Sequence, residues 1–278
     1  MDLKIISVPF DSGHRNYRMG RGPAALLEAG LADRISAAGH SVSVMEVDGP
    51  DWPPAEVKTG FALCREVADS VRTATSEGAF PIVLTGNCLM QVGVLAGIGS
   101  DSTGLVWFDA HGDLNTPETS RSGFLDGMAL AVAVGWCWKE VARGLPGFEP
   151  IAVDRVTLVG ARDLDPPEQA FIAEHGICHV TAAMAAVDGW VTNVQARVER
   201  HKRVTVHLDL DVLDPSVCSV NALQAPNGLR EDQVAGLLDA LVGNGNVAAL
   251  TLSAYDPDVD PSGSTPPVVQ RLVRSVVD

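Results

Sequence analysis

The chain has 278 residues, 46% of them hydrophobic, and a formal net charge of −15. That length and apolar content allow a sizeable core, while the acidic balance argues against nucleic acid as a partner and suits a cationic small substrate. No stretch approaches the roughly 20 apolar residues needed to cross a bilayer, and the opening MDLKIISVPF reads as a strand, not a secretory signal, so a cytoplasmic protein with no membrane role is expected.

Along the chain, short β-branched runs alternate with helical patterns. Strands are expected at Lys4–Val8, Ser41–Val47, Pro81–Thr85, Gly104–Phe108, Arg155–Val159, Val204–Leu208 and Ala248–Leu252. Several are apolar almost throughout, as strands covered on both faces are. Helices are expected at Pro23–Ala38, Ala55–Ser76, Met90–Ile98, Phe124–Val134, Pro166–His175, Gly189–Arg200, Arg230–Val242 and Pro266–Val276, several with Pro just inside the first turn. Repeated strand–helix alternation implies a doubly wound, mostly parallel sheet with helices on both faces, a three-layer α/β/α architecture. No linker or repeat divides it, so residues 1–278 are read as one catalytic domain. Cys64, Cys88, Cys137, Cys178 and Cys218 are scattered and form no C-x-x-C pair, which fits a reducing compartment.

In an open parallel sheet, ligands sit beyond the carboxyl ends of the strands. Two such ends carry the chemistry. Gly104–Phe108 runs into Asp109-Ala110-His111-Gly112-Asp113-Leu114-Asn115, and Val204–Leu208 runs into Asp209-Leu210-Asp211, followed by Asp214. If the chain stays extended there, residues two apart project to the same side. So many carboxylates at one place repel each other unless a divalent cation joins them, and several oxygens with one or two nitrogens suit a hard or borderline metal such as manganese.

These motifs carry a resemblance. Phe108–Pro117 and His207–Pro215 resemble the second and third metal motifs of the arginase–agmatinase (ureohydrolase) superfamily. Val159–Pro166 resembles its intervening segment and Gly20–Ala29 its first βα turn. The resemblance implies the arginase–deacetylase type of three-layer sheet and a binuclear Mn²⁺ site, with Asp109 and Asp209 bridging, Asp113 completing one position, and His111 with Asp211 the other. It further implies hydrolysis of a small guanidino substrate to an amine and urea, Asp113 passing a proton to the departing amine. Asp165 matches a contact to the substrate α-amino group. Asn115, Ser120 and Ser122 match contacts to its α-carboxylate; the alternative is loop capping by short polar side chains, which the two serines fit better. A homo-oligomer, trimeric or hexameric, is implied as well.

Three positions depart from the family pattern. Where the first metal motif usually reads Gly-Gly-Asp-His, this chain has Thr85-Gly86-Asn87-Cys88. Cys88 then ligates, or that ion binds weakly with fewer ligands, or the site holds one ion; a thiolate would favour Zn or Fe there. At the place of a proton-relaying histidine stands Asp126, either a relay and cation clamp or a helix N-terminal acid. Where arginases place a glutamate that holds the guanidinium stands Ala254, so Asp126 or Asp256 substitutes, or the head group is less basic, as in Nω-hydroxy-L-arginine. His14, Arg15 and Arg18 lie in the loop after the first strand, either meeting a substrate carboxylate or simply solvated. His207 is expected to pack behind the site. Against the amidinohydrolase reading stand a one-metal deacetylase and a metal-poor member with a structural or regulatory role.

Overall fold

The computed structural model describes residues 1–277. Its strands are β1 (Asp2–Val8), β2 (Phe10–Asp11), β3 (His14–Arg15), β4 (Ser41–Glu46), β5 (Phe80–Thr85), β6 (Thr103–Phe108), β7 (Val156–Val159), β8 (Cys178–Val180), β9 (Arg203–Asp209) and β10 (Val247–Ser253). The α-helices are α1 (Gly22–Glu28), α2 (Leu31–Ala37), α3 (Glu56–Ser76), α4 (Met90–Ile98), α5 (Ala129–Ala133), α6 (Lys139–Arg143), α7 (Pro166–His175), α8 (Trp190–Val198), α9 (Glu231–Gly243) and α10 (Thr265–Val277).

Eight strands form one sheet in the order β4-β1-β5-β10-β9-β6-β7-β8, and every pairing in it is parallel. Alternate residues feed two cores, as a strand's period of two requires. Ile6, Val8, Leu105 and Trp107 join the layer containing α3, α4, α5 and Phe171 of α7. Leu3, Ile5, Val106 and Phe108 join the layer containing α1, α2, α8, α9 and α10. The sheet is therefore three-layered and doubly wound. In β9 the alternation separates chemistry as well as faces. Val204, Val206 and Leu208 enter the second core, while Thr205, His207 and Asp209, all buried, alternate with them.

The expected elements differ from the observed ones in particular places. Pro23–Ala38 is two helices, because Gly30 between them adopts φ 87°, a left-handed conformation that only glycine takes at no steric cost. Phe124–Val134 is a 3₁₀ turn at Asp126–Met128 followed by the five-residue α5. The edge strand β8 and the small β2–β3 hairpin were not anticipated; at three and two residues each they are too short to show a period.

The strand order places the site. The chain lays β6, β7 and β8 outward, then returns, and its last two strands insert between β5 and β6. The carboxyl ends of β5, β10, β9 and β6 thus become four neighbours, although their residues lie far apart in sequence.

Candidate metal centre and catalytic cavity

Both aspartate-rich strand ends use the same local device. Asp109 Oδ1 accepts the His111 backbone N–H at 2.7 Å, and Asp209 Oδ1 accepts the Asp211 N–H at 2.8 Å. These are Asx turns, so the chain bends after β6 and β9 instead of running on extended. The curl nonetheless gathers the expected groups. His111 Nδ1 lies 3.3 Å from Asp109 Oδ1 and 3.3 Å from Asp211 Oδ2. Asp211 Oδ1 in turn accepts the Ala110 N–H at 3.0 Å, which ties the two turns together. Asp113 is reached through a left-handed residue, at φ 50°, a conformation aspartate tolerates better than most.

The loop after β5 supplies the third wall. Cys88 Sγ donates to Asp209 Oδ2 at 2.9 Å and lies 3.3 Å from Ser253 Oγ, at the end of β10. Asp126 holds this loop in place. Its two oxygens accept from Asn87 Nδ2 at 2.8 Å and from the Leu89 N–H at 3.0 Å. Beneath, Trp107 Nε1 donates to Asp109 Oδ2 at 3.0 Å.

Cys88, Asp109, His111, Asp113, Asp209 and Asp211, the six expected ligands, line one cavity of about 280 Å³, close to the small end of ligand pockets. Asn115, Ser122, Asp126 and Asp165 line it too. Asn115 Nδ2 donates to Asp165 Oδ2 at 3.1 Å. Ser120 is not among the lining residues; its hydroxyl accepts the Gly123 N–H at 3.0 Å. Ser122 sits on the rim and caps Phe124 N–H at 3.2 Å. Asp256 stays outside, 3.7 Å from Arg21, so of the two proposed stand-ins for the missing glutamate only Asp126 reaches the cavity. Ala254 lines it directly, at φ 67°. Arg15 is engaged by Glu46 and the Val47 and Asp48 carbonyls, and neither it, His14 nor Arg18 lines the cavity.

Glu168, Arg162 and Asn221 are contributors the sequence reading did not assign. Glu168 is buried; its carboxylate accepts from Leu114 N–H at 3.0 Å and Asp165 N–H at 2.8 Å, joining the Asp113 loop to the start of α7. The Asp165-Pro166-Pro167-Glu168 run, with its acid three residues after an Asx, is the legible signal. Arg162 grips the carbonyls of Gly160, Asp211 and Ala225 at 3.1, 2.9 and 2.7 Å. Asn221 Nδ2 lies 3.5 Å from Asp211 Oδ2 and 2.9 Å from the Ala254 carbonyl.

The electrostatics express crowding of like charge in a low-dielectric place. Burial, then neighbouring carboxylates, pushes Asp113 and Asp209 well above the usual carboxylate range. Burial, then Asp211, raises Asp109. Asp126 is raised to about 8, chiefly by burial, against the bonds from Asn87 and Leu89. Burial would raise Asp211 too, but the hydrogen bond and charge of His111, with the bonds to Asp209 and the Ala110 N–H, together outweigh it and hold Asp211 low. Burial would lower His111, yet the Asp109 and Asp211 carboxylates outweigh it and raise it. The Asp113 Oδ2 atom is buried without a hydrogen-bond partner. Four carboxylates, an imidazole and a thiol around a shared space, with an orphaned oxygen among them, are a donor set that divalent cations would satisfy.

Comparison with known proteins agrees with this geometry. The model of the arginase family matches residues 1–277. The chain is 30% identical to the arginase of Bacillus subtilis (strain 168) over 99% of its own length and 97% of that relative. It is 26% identical to human mitochondrial arginase-2, covering 99% of this chain and 83% of the relative. The crystal structure of arginase from Bacillus cereus superposes with a TM-score of 0.90 at 28% identity, over 100% of this chain and 98% of that one.

Proposed function

The chain belongs to the arginase family of hydrolases, and on that premise we propose that it is a binuclear metal-dependent amidinohydrolase, using Mn²⁺ with Fe²⁺ or Zn²⁺ as alternatives on the Cys88 side, that cleaves the guanidino C–N bond of arginine or a close guanidino relative. One observation carries this reading: the ends of β5, β6 and β9 bring Cys88, Asp109, His111, Asp113, Asp209 and Asp211 to the wall of a single acidic cavity. Bound there, divalent ions would supply Lewis-acid charge and ease the ionisation of water.

The chain's own groups do the rest. The cavity's acidic wall attracts a cationic guanidinium. Asn115 and Asp165, already paired, meet the amino-acid tail, Asp165 receiving the α-ammonium and Asn115 the carboxylate. Asp113 Oδ2, free of other hydrogen bonds, takes the proton lost by the attacking water and delivers it to the departing amine nitrogen. The substrate is thereby split into an amine and urea or a substituted urea. Asp126 holds the Cys88 loop and offers its carboxylate to the head group.

Ala254 favours a second substrate in the same class. With a methyl group where arginases carry a glutamate, the cavity has one fewer negative partner for the head group, which suits the less basic Nω-hydroxyguanidine. The test is release of urea or hydroxyurea from arginine, agmatine and Nω-hydroxy-L-arginine by protein loaded with Mn²⁺ alone and with Mn²⁺ together with Zn²⁺ or Fe²⁺. Asp113→Asn should slow turnover roughly 10²–10⁴-fold, the usual weight of a general acid–base. Metal-loaded protein that turns over no guanidino compound would overturn the proposal and leave a structural or regulatory role. A cytoplasmic homo-oligomer of three or six copies is proposed with it, to be measured by light scattering.

A further inference from the structure

Among the described residues, His207 is the fully buried imidazole beneath the cavity. It is 0% exposed and lies two residues before Asp209 on β9, where the period of a strand sends both side chains to the same face. In the sheet it pairs with Trp107 of β6, and the two rings pack against each other with centroids 3.9 Å apart at a tilt of 32°, which restricts the imidazole's plane.

The ring's surroundings are rich in metal-ligating atoms. His207 Nε2 is 3.4 Å from Ser253 Oγ, and that hydroxyl also lies 3.3 Å from Asp209 Oδ2 and 3.3 Å from Cys88 Sγ. Donor atoms of Cys88, Asp109, His207 and Asp209 all fall within 4.8 Å of one another, and all four residues are buried. Around zinc, with bonds of about 2.0–2.3 Å, tetrahedral donors stand about 3.5 Å apart, so a contraction of up to about 1 Å closes the set. Two buried polar atoms here have no partner within the protein. His207 Nδ1 and Asp113 Oδ2 are buried with no hydrogen-bond partner, and Asp113 lines the cavity into which Cys88 opens.

We propose that His207 is a metal ligand, and that Cys88, His207, Asp109 and Asp209 form a thiophilic cation site taking Zn²⁺, Fe²⁺ or Co²⁺ ahead of Mn²⁺, beside the oxygen-rich His111 position. The inference rests on the metal-holding reading of the cavity and not on the identity of the substrate. The imidazole that the family's first metal motif carries is absent after β5, where Cys88 stands. An imidazole returns two strands away, from β9, on the same side of the sheet. A site that takes a thiolate in place of one nitrogen donor, and the β9 imidazole in place of the Asp113 carboxylate, keeps its coordination number. It moves its preference toward softer ions, because thiolate and imidazole select Zn and Fe where carboxylate and water select Mn.

The experiment loads metal-stripped protein with CoCl2 and, separately, with an equimolar mixture of MnCl2 and ZnCl2, for the native chain and the variants Cys88→Ser, His207→Gln and His111→Ala. Native protein should show a thiolate-to-cobalt charge-transfer band and bind one Zn²⁺ that Mn²⁺ does not displace. Cys88→Ser should abolish the band. His207→Gln should keep the band, shift its visible ligand-field spectrum and weaken zinc retention about 10–100-fold, while His111→Ala leaves both intact and loses the other ion. Near-UV circular dichroism checks that each variant is folded. If His207→Gln proves misfolded, native protein still decides the matter, because histidine bound to Co²⁺ gives contact-shifted imidazole proton resonances, and one more such ring than His111 provides is required. Absence of the charge-transfer band, or a His207→Gln protein with native cobalt spectrum and zinc affinity, would overturn the inference. Urea release with only one oxygen-ligated ion would sink this inference and keep the hydrolase; the full cobalt signature without turnover of any guanidino compound would do the reverse.

Discussion

Arg162→Ala tests whether the metal loops are held by a single guanidinium. Arg162 donates to six backbone carbonyls, those of Gly160, Asp211, Val212, Leu213, Ala225 and Pro226. Two of them keep other donors after truncation: Val212 O retains the Leu229 N–H at 2.9 Å and Leu213 O retains Gln224 Nε2 at 3.1 Å. The Pro226 carbonyl is exposed enough for water to replace the lost donor. The cost therefore falls on the bonds to Gly160, Asp211 and Ala225. Hydrogen bonds to a charged group contribute about 1.5–3 kcal/mol each, but burial already penalises the guanidinium and lowers its pKa, and that penalty is relieved with the side chain. A net loss of about 3 kcal/mol follows, or roughly 6–9 °C in Tm at about 2–3 °C per kcal/mol for a chain of this size. Because the Asp211 carbonyl is one of the three, metal retention should fall as well. Arg162→Lys should recover little, since an ammonium has three donors and no planar fork. The assays are calorimetry and metal retention on dialysis. A Tm within about 2 °C of native with unchanged metal retention would refute the reasoning.

Further outcomes follow from the same geometry. Trp107→Phe removes the bond to Asp109 Oδ2 while keeping a ring against His207, so metal affinity should drop about 10–100-fold with little change in fold; isothermal titration reads it. Metal-stripped protein should lose stability to urea between pH 6.5 and 8.5. Asp126 has a folded pKa of about 8, raised by burial above its ordinary 3.8, so its stabilising contribution is full at low pH and is lost as pH rises through 8. His111, also raised, acts with the same sign. A urea midpoint that rises over this window contradicts the picture. Gly86→Ala places a Cβ 2.4 Å from the Phe10 carbonyl and 2.7 Å from the Gly20 nitrogen. Neither backbone can yield cheaply, so a loss of about 1–3 kcal/mol is expected, with displacement of the Cys88 loop read as weaker metal binding. Asp165→Ala should raise KM for arginine about 10–100-fold, the weight of one bond to a charged group, and leave competitive inhibition by 4-guanidinobutyrate, which has no α-amino group, nearly unchanged.

Much of this is legible in the amino-acid sequence itself. Apolar runs such as Gly104–Phe108 and Val204–Leu208 read as strands covered on both faces, and all pairings in the eight-stranded sheet are parallel. Asp109, His111, Asp113, Asp209 and Asp211 could be named because each follows such a strand, and strand ends are where an open parallel sheet holds its ligands. Local sequence also contained the Gly30 break and the Asp165–Glu168 pairing, though both are easily passed over. Tertiary structure alone decided the rest. Sequence spacing does not reveal that β9 and β10 insert between β5 and β6, yet that order is what sets Cys88 against Asp209 across 121 positions of chain. It also turned His207 from a residue expected to pack behind the site into a neighbour of Cys88, Asp109 and Asp209. The physical reason is that periodicity tells which face a side chain takes, whereas the partner on that face is chosen by strand order, a long-range outcome that no local pattern encodes.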